Sequence, residues 1–433
     1  MKDKVTLAKD LIDFIYKSPT AFHAVETVKN ILDENGFNEL KETEQWNLKA
    51  EEKYYVIKNN SAITAFVVGR KSIVENGFRI VGAHTDSPTF RIKPHAEMTS
   101  EGNYLKLNTE VYGGPILNTW MDRPLSIAGR VVLKSNNPLK PNCKLLNIKK
   151  PILIIPNIAI HMNREANKGF EINSQKHTLP LVGMINDKLS KEDFLLNTIA
   201  KELHIDKSEI LDFDLFLYEY EKGCIMGIND EFISSGRLDD LAMVHAALEA
   251  LASSKPSNAT NVLVCFDNEE IGSTTKQGAD SIFLSSILER IVEKEQSGKE
   301  AYFRSLANSF IISSDLAHAV HPNWEEKADP TNRPIINKGP VIKINANFSY
   351  TTDAYSSAIY EGVCKKQSVP VQKFVNRSDS RGGSTIGPIS WSHVNIPSVD
   401  IGTPILAMHS IRELGGVDDH YYIAKSFEGF YFI

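Results

Sequence analysis

The alternation of apolar and polar positions divides the chain into three stretches. In the first 37 residues, Leu7, Leu11, Ile12 and Ile15 recur at helical spacing, Ser18-Pro19-Thr20 breaks the run, and Val25, Val28, Ile31 and Leu32 resume it as far as Asn35-Gly36. Two helices covering one face of a sheet are predicted. Short β-like runs follow at 54–57, 62–68 and 78–83. From about Arg91 to Ser235 the texture changes to many short β-like runs, at 104–107, 127–133, 152–155 and 215–220. Gly113-Gly114, Asn136-Asn137-Pro138 and Asn167-Lys168-Gly169 mark turns between them, and a helical patch over 191–203 interrupts them. After Gly236 a helix–strand rhythm returns. Leu238, Leu241, Val244, Leu248 and Leu251 lie on one helical stripe, 262–266 reads as a buried strand, and 417–432 as a last helix.

This pattern predicts an α/β fold. Residues 1–91 and 236–433 form one domain with a central, mostly parallel sheet flanked by helices, and 92–235 form a mainly β domain inserted into it. The length of 433 residues agrees, since it exceeds what one core usually supports. With 42% hydrophobic and 24% charged residues, the composition is that of an ordinary globular protein. A formal charge of −6 recruits neither nucleic acid nor a membrane surface, and no stretch approaches the roughly 20 apolar residues that span a bilayer. Cys143, Cys224, Cys265 and Cys364 lie far apart, with no CxxC pair, and the N-terminal residues alternate charge with apolar side chains, so a reducing, cytoplasmic setting is expected.

Ligand-type side chains recur just past the apolar runs: His84 after 78–83, Glu269-Glu270 after 262–266, Asp315 after 310–312, and His409 after 399–402. In open α/β sheets, chemistry collects at the carboxyl ends of the strands. In His84-Thr-Asp86-Ser-Pro88, a carboxylate two residues beyond the imidazole can hold the ring nitrogen that a metal leaves free, or the pair simply opens a turn. In Ser235-Gly-Arg-Leu-Asp239-Asp240, the aspartates either favour a helix dipole or bridge two cations. Adjacent Glu269 and Glu270 repel each other unless a cation or a raised pKa intervenes; one can bind metal while the other acts as general base. Ser313-Ser-Asp315-Leu-Ala-His318-Ala-Val-His321 adds a carboxylate that is either a ligand or a helix cap, and two imidazoles three residues apart. Each signal is weak alone, but five junctions of this kind together point to a dinuclear metal hydrolase.

The segments VGAHTDSP, SGRLDDL, CFDNEEIGS, SSDLAHAVHPN, KGPVIKIN, GSTIGP and MHSIRE, spread in order over residues 81–413, resemble the signature set of the aspartyl-aminopeptidase-type family of dinuclear zinc aminopeptidases. The resemblance implies two divalent ions per chain, zinc in the first place with cobalt or manganese as substitutes. It implies His84 and Asp315 on one ion, Glu270 and His409 on the other, Asp239 bridging them, Asp86 orienting the site and Glu269 as the base. The family usually has Asn after the bridging aspartate, whereas this chain has Asp240, which leaves the choice between Asp239 and Asp240 open. Lys343 resembles a position that meets an acidic substrate side chain, and His318 and His321 are further substrate-binding candidates. The inserted domain is implied to form dimer contacts within a dodecamer, with His161, in Pro156-Asn-Ile-Ala-Ile-His161, projecting into a neighbour's site. The implied reaction removes N-terminal residues, acidic or neutral and aliphatic, from peptides. Two other classes stay open: a dinuclear deacylase of N-acyl substrates, and an assembly protein on a peptidase scaffold, for which retention of Glu269 has no use.

Overall fold

Asn59 and Asn60, both with positive φ, turn the chain tightly between the strands Lys53–Lys58 and Ala62–Val67, a conformation Asn tolerates and hairpin twist favours. The computed structural model describes residues 2–186, 189, 192–295, 298–380 and 382–433. The hairpin leads into a nine-stranded sheet ordered Asn38–Glu39, Lys53–Lys58, Ala62–Val67, Thr260–Phe266, Phe78–His84, Phe310–Ser314, Ser398–Gly402, Val341–Lys343, Gln372–Phe374. The four central strands, from Thr260–Phe266 to Ser398–Gly402, are mutually parallel; antiparallel pairings lie on either side of them. The expected α/β architecture is present, as a mixed sheet with a parallel centre.

Period-two alternation divides the central strands between two cores. Val81, Ala83, Leu263, Cys265, Ile312, Val399 and Ile401 face helices Lys4–Lys17, Leu238–Ser253 and Val417–Tyr431, while Ile80, Val262, Val264, Phe266 and Ile311 face helix Phe283–Glu293. Asp3 caps the first helix by accepting from the N–H groups of Val5 and Thr6, and the helix ends at Lys17, two residues before Pro19. Helix Leu238–Ser253 differs from the single stripe predicted for it. Ala242, Met243, Ala246, Ala247 and Ala250 are buried as well, so it is a core helix apolar nearly all round, with small residues admitting the neighbouring helices closely.

Two imidazoles lie inside this helical layer. His245 Nδ1 and His420 Nε2 are 2.9 Å apart, both residues are buried, and His420 Nδ1 has no hydrogen-bond partner among the described residues. Burial pushes His245 down to about 3 and His420 well below its ordinary value. Unfolded histidine titrates near 6.5, so between these limits the unfolded chain binds more protons, and this contribution to stability is full above about pH 6.5 and falls with pH toward 3. Urea titrations at pH 7 and pH 5 are expected to show a lower midpoint at pH 5. A His245→Gln, His420→Gln double variant is expected to show a smaller drop.

The chain divides into two units: Met1–Asp86, Gly223–Met408 and Glu413–Ile433 form the one just described, and Ser87–Lys222 with His409–Arg412 form the other. The second unit is an antiparallel six-stranded sheet ordered Asn142–Asn147, Leu125–Leu133, Ile210–Glu219, Thr89–Ser100, Tyr104–Tyr112, Leu181–Met184. Phe90, Ile92, Leu107, Ile127 and Leu215 pack there with Leu195 and Ile199 of helix Phe194–Leu203. The predicted helix start at Lys191 lies outside the described residues. Residues 152–155, read as a strand, make only isolated bridges through Leu153, Ile154 and Ile155, because Pro151 and Pro156 on either side supply no ladder donors. His409–Arg412 joins this unit through Ile411 N–H to Thr119 Oγ1 (3.0 Å) and the Arg412 guanidinium on Glu219 (3.2 Å).

No helix among the described residues is long and apolar enough to cross a membrane.

Candidate metal centre

In the parallel register Phe266 sits beside His84, Ser313 beside Gly82 and Ser314 beside Ile401, which brings the carboxyl ends of the four central strands level. His84 is the last residue of its strand; Asp315 follows Ser314, its N–H held by the Ile401 carbonyl at 2.9 Å. Glu269 and Glu270 occupy a short 3₁₀ turn entered through Asn268 with φ 65°. Asp239 and Asp240 precede the regular part of helix Leu238–Ser253, but their φ/ψ values are non-helical and the peptide between them is cis. Of the two readings offered for this pair, placement in the first turn of a regular helix is at odds with these φ/ψ values.

These elements converge on His84. Its Nε2 lies 3.3 Å from Asp239 Oδ1 and 3.9 Å from Asp315 Oδ1, and its Nδ1 lies 3.3 Å from Asp86 Oδ1 and 3.1 Å from the Asp86 carbonyl oxygen. The His84 backbone N–H donates to Asp240 Oδ2 at 3.1 Å. Asp86 in turn accepts the Glu269 and Glu270 backbone N–H groups, at 3.1 and 3.2 Å on its two oxygens. One carboxylate thus ties the imidazole of one strand end to the glutamate turn of another. Glu413, buried at the start of strand Glu413–Gly416, accepts the Asp239 N–H at 3.1 Å. Its place in the MHSIRE segment marked the position, but no feature of the sequence distinguished it from a surface acid.

The electrostatics are those of a cation site. Single donor atoms of His84, Asp239, Asp240 and Asp315 lie within 4.8 Å of one another, as do those of His84, Glu269 and Glu270. Burial pushes Glu269 up to about 7 and Asp240 and Glu270 well above the carboxylate range, with neighbouring carboxylates adding to the shift and His84 opposing it. Burial alone would strip the His84 proton, yet Asp240, then Asp239, Asp315 and Asp86, outweigh it and raise its pKa. Asp240 Oδ1 is buried and accepts no hydrogen bond among the described residues. A divalent ion fits this donor set. It would replace the proton that these carboxylates retain on His84, and one imidazole among carboxylate oxygens is chemistry that suits zinc and its neighbours.

Backbone packing sets Asp315 in place. A Cβ built on Gly402 would fall 1.8 Å from the Asp315 carbonyl oxygen, so Gly402→Ala has to displace one of two paired backbones. It is expected to destabilise by about 1–3 kcal/mol, as overpacked cores do, and to lower the metal retained after dialysis, read by thermal melting and elemental analysis.

The other predicted residues are Lys343, His318 and His321 in the first unit and His161 and His409 in the second. Lys343, at the end of strand Val341–Lys343, is buried, with its Nζ 3.3 Å from Asp315 Oδ2 and 5.6 Å from the Tyr350 ring centre. It therefore belongs to the charge balance of the cluster. His318 is exposed, its ring 6.1 Å from Phe374 edge-on, and His321 packs on Trp324 at 4.5 Å while its Nδ1 accepts the Asn323 N–H. Neither is among the described groups able to hold a metal. In the second unit, His161 is exposed, and His409, with φ 67°, has its Nδ1 3.0 Å from the Gly114 carbonyl oxygen.

The family model for the aminopeptidase I zinc metalloproteases (M18) matches residues 14–431. The chain belongs to the M18 aminopeptidase family. A probable M18 family aminopeptidase 2 of Clostridium novyi is 67% identical over 431 residues, covering 100% of both chains. One from Pseudomonas aeruginosa is 42% identical, over 99% of this chain and 98% of that one. Among solved structures, an Ape4 chain in complex with Nbr1 superposes with a TM-score of 0.93 at 39% identity, covering 99% of this chain and 86% of that one. The Saccharomyces cerevisiae mApe1 dodecamer does so with 0.85 at 29%, covering 98% and 95%. This M18 aminopeptidase is accordingly a metal-dependent hydrolase of the zinc metalloprotease type, with the His84 cluster as its candidate metal-binding group.

Proposed function

We propose that this aminopeptidase works with two divalent ions and releases N-terminal residues through a water activated by Glu269. The observation that carries the reading is that His84 shares one compact group with Asp239, Asp240 and Asp315 and another with Glu269 and Glu270. His84 and Asp315 would hold one ion, Glu270 and, by the family resemblance, His409 the other, with Asp239 between them. Bound divalent ions acidify water and polarise a peptide carbonyl. Glu269 would take the proton of the attacking water and return it to the departing amine, while Asp86, through the two backbone N–H groups it accepts, fixes where that carboxylate stands. Asp240, under the His84 N–H, would add negative charge beside the ions.

Preference for an acidic N-terminal residue rests on Lys343. Its buried ammonium has Asp315 as partner, and a substrate carboxylate would compete with Asp315 for it. For assembly, Ile158, Ile160 and Met162 are exposed apolar side chains around His161, which supports burial of this segment against another copy, as in a dodecamer like that of mApe1, where His161 would meet a neighbour's substrate. His318 and His321 would line the path of the peptide.

The test is metal stoichiometry together with a panel of aminoacyl-arylamides bearing Asp, Glu, Leu or Ala. Two ions per chain are expected on saturation with Zn²⁺, and Asp or Glu cleavage is expected to exceed Leu by about tenfold, the worth of one charge-assisted contact. A single ion at saturation would overturn the dinuclear reading. A Leu rate equal to the Asp rate would remove the role given to Lys343.

A further inference from the structure

Asp400 stands in the middle of the apolar strand Ser398–Gly402 and is completely buried, yet among the described residues no Lys, Arg or His forms an ion pair with it. Its charge is satisfied by four donors. Ser313 Oγ and Thr385 Oγ1 each donate to Oδ1 at 2.6 Å; the Thr351 N–H and Oγ1 donate to Oδ2 at 2.6 and 2.8 Å. The Asp400 N–H also donates to Thr352 Oγ1 at 2.9 Å. The approach needs Gly387, where a Cβ would fall 2.5 Å from Oδ2.

The donors belong to three separate segments that share one neighbour. Ser313 lies beside Asp400 in the register, two residues before Asp315. Thr351 and Thr352 end the stretch that leaves Lys343, and Tyr350, next to Thr351, carries the ring that faces the Lys343 ammonium. Thr385 ends the Gly382-Gly383-Ser384 stretch. The last two segments are also tied to each other, Ser384 Oγ donating to the Ser349 carbonyl at 3.3 Å. Each runs from solvent-exposed residues, Ala346 to Phe348 in one and Gly383 and Ser384 in the other, down to a buried threonine on Asp400.

We propose that Asp400 is a positioning residue for substrate: a buried carboxylate that pins the 345–352 and 382–385 segments together as one wall beside Lys343 and Asp315. It touches neither metal nor peptide. Its two oxygens fix the spacing of the segments that do face the solvent-open side, and a carboxylate is suited to the task because charged acceptors make the stronger hydrogen bonds. A neutral side chain of the same shape offers one oxygen and a donor in place of the second acceptor, which leaves either Thr351 or Thr385 facing an N–H₂ group. This inference rests on the aminopeptidase activity and is independent of the number of ions.

The experiment compares wild type with Thr351→Val, Thr385→Val, Asp400→Asn and the two valine variants each combined with Asp400→Asn, on one aminoacyl-arylamide. Each single variant is expected to raise KM about tenfold, with kcat within about twofold and metal content unchanged. Either valine added to Asp400→Asn is expected to change KM little further, because both act through the same carboxylate. Unchanged KM, or kcat and metal content falling together, overturns the proposal, as do additive effects. Should Asp400→Asn not fold, Thr351→Val combined with Thr385→Val is expected to raise KM less than the product of the two single effects; a full product overturns the shared anchor. Inactive wild type on every substrate would count against the aminopeptidase reading itself, whereas active wild type with unmoved variants counts against Asp400 alone.

Discussion

Glu269→Gln is expected to keep its metal and lose its catalysis, with kcat falling on the order of 10²–10⁴-fold, the range over which a positioned general base contributes. The substitution preserves shape and the backbone N–H that Asp86 accepts, so the 3₁₀ turn and the neighbouring Glu270 stay where they are. What it removes is the ability to accept a proton. The carboxyl is held in a half-buried position where desolvation already favours its protonated form, the condition under which a carboxylate becomes a stronger base than in water. Single-turnover rates and elemental analysis on the same preparation decide the matter: retained metal with a normal rate would rule out Glu269 as the base, and lost metal would make it a ligand instead.

Asp239→Ala is expected to lower metal affinity by more than the roughly 10–100-fold typical of an outer-shell partner, with activity lost in parallel. Asp239 is buried, its Oδ1 is 3.3 Å from His84 Nε2, and its N–H is anchored on Glu413, so its carboxylate is held at the centre of the donor group. Asp240→Asn is the informative comparison. Asp240 Oδ2 is engaged by the His84 N–H, and an amide oxygen can accept that bond, so a smaller loss of affinity is expected. Competition of each variant against a chelating dye measures both. Equal losses would make the two aspartates equivalent ligands, and a larger loss at Asp240 would reverse their assignment.

The sheet was largely legible because strands buried on both faces read as continuous apolar runs, as 78–83 and 262–266 do, and because ligand-type residues stand immediately past them. Pairing was not. Nothing local tells that Thr260–Phe266 comes to lie between Ala62–Val67 and Phe78–His84, antiparallel to one and parallel to the other. Residues 152–155 misled because their apolar run ignores the prolines on either side. Within the candidate site, the motifs exposed the residues whose donor atoms meet, His84, Asp239, Asp315, Glu269 and Glu270. Of the acids that act by hydrogen bonding to backbone or hydroxyl groups, they exposed Asp86 but not Glu413 or Asp400. Glu413 and Asp400 resemble any other acid in the sequence, and only the burial of each, with its donors, gives it a task. Asp400 carried one faint clue, a charge within the apolar run Ser-Val-Asp-Ile-Gly.

The order of the central strands also has a temporal meaning. Phe78–His84 is made early, yet its two sheet neighbours are Thr260–Phe266 and Phe310–Ser314, and Asp315 follows the second of them. A polypeptide emerging from the ribosome therefore carries His84 for more than half of its synthesis without the strands that hold it, and contacts so distant in sequence form slowly. Capture of an ion by the candidate group of His84, Asp239 and Asp315 would have to wait until residue 315 of 433 is free to pair. Loading of that group would then be a late step of maturation, and a chain halted before residue 315 would carry His84 and Asp239 without the carboxylate that completes the group.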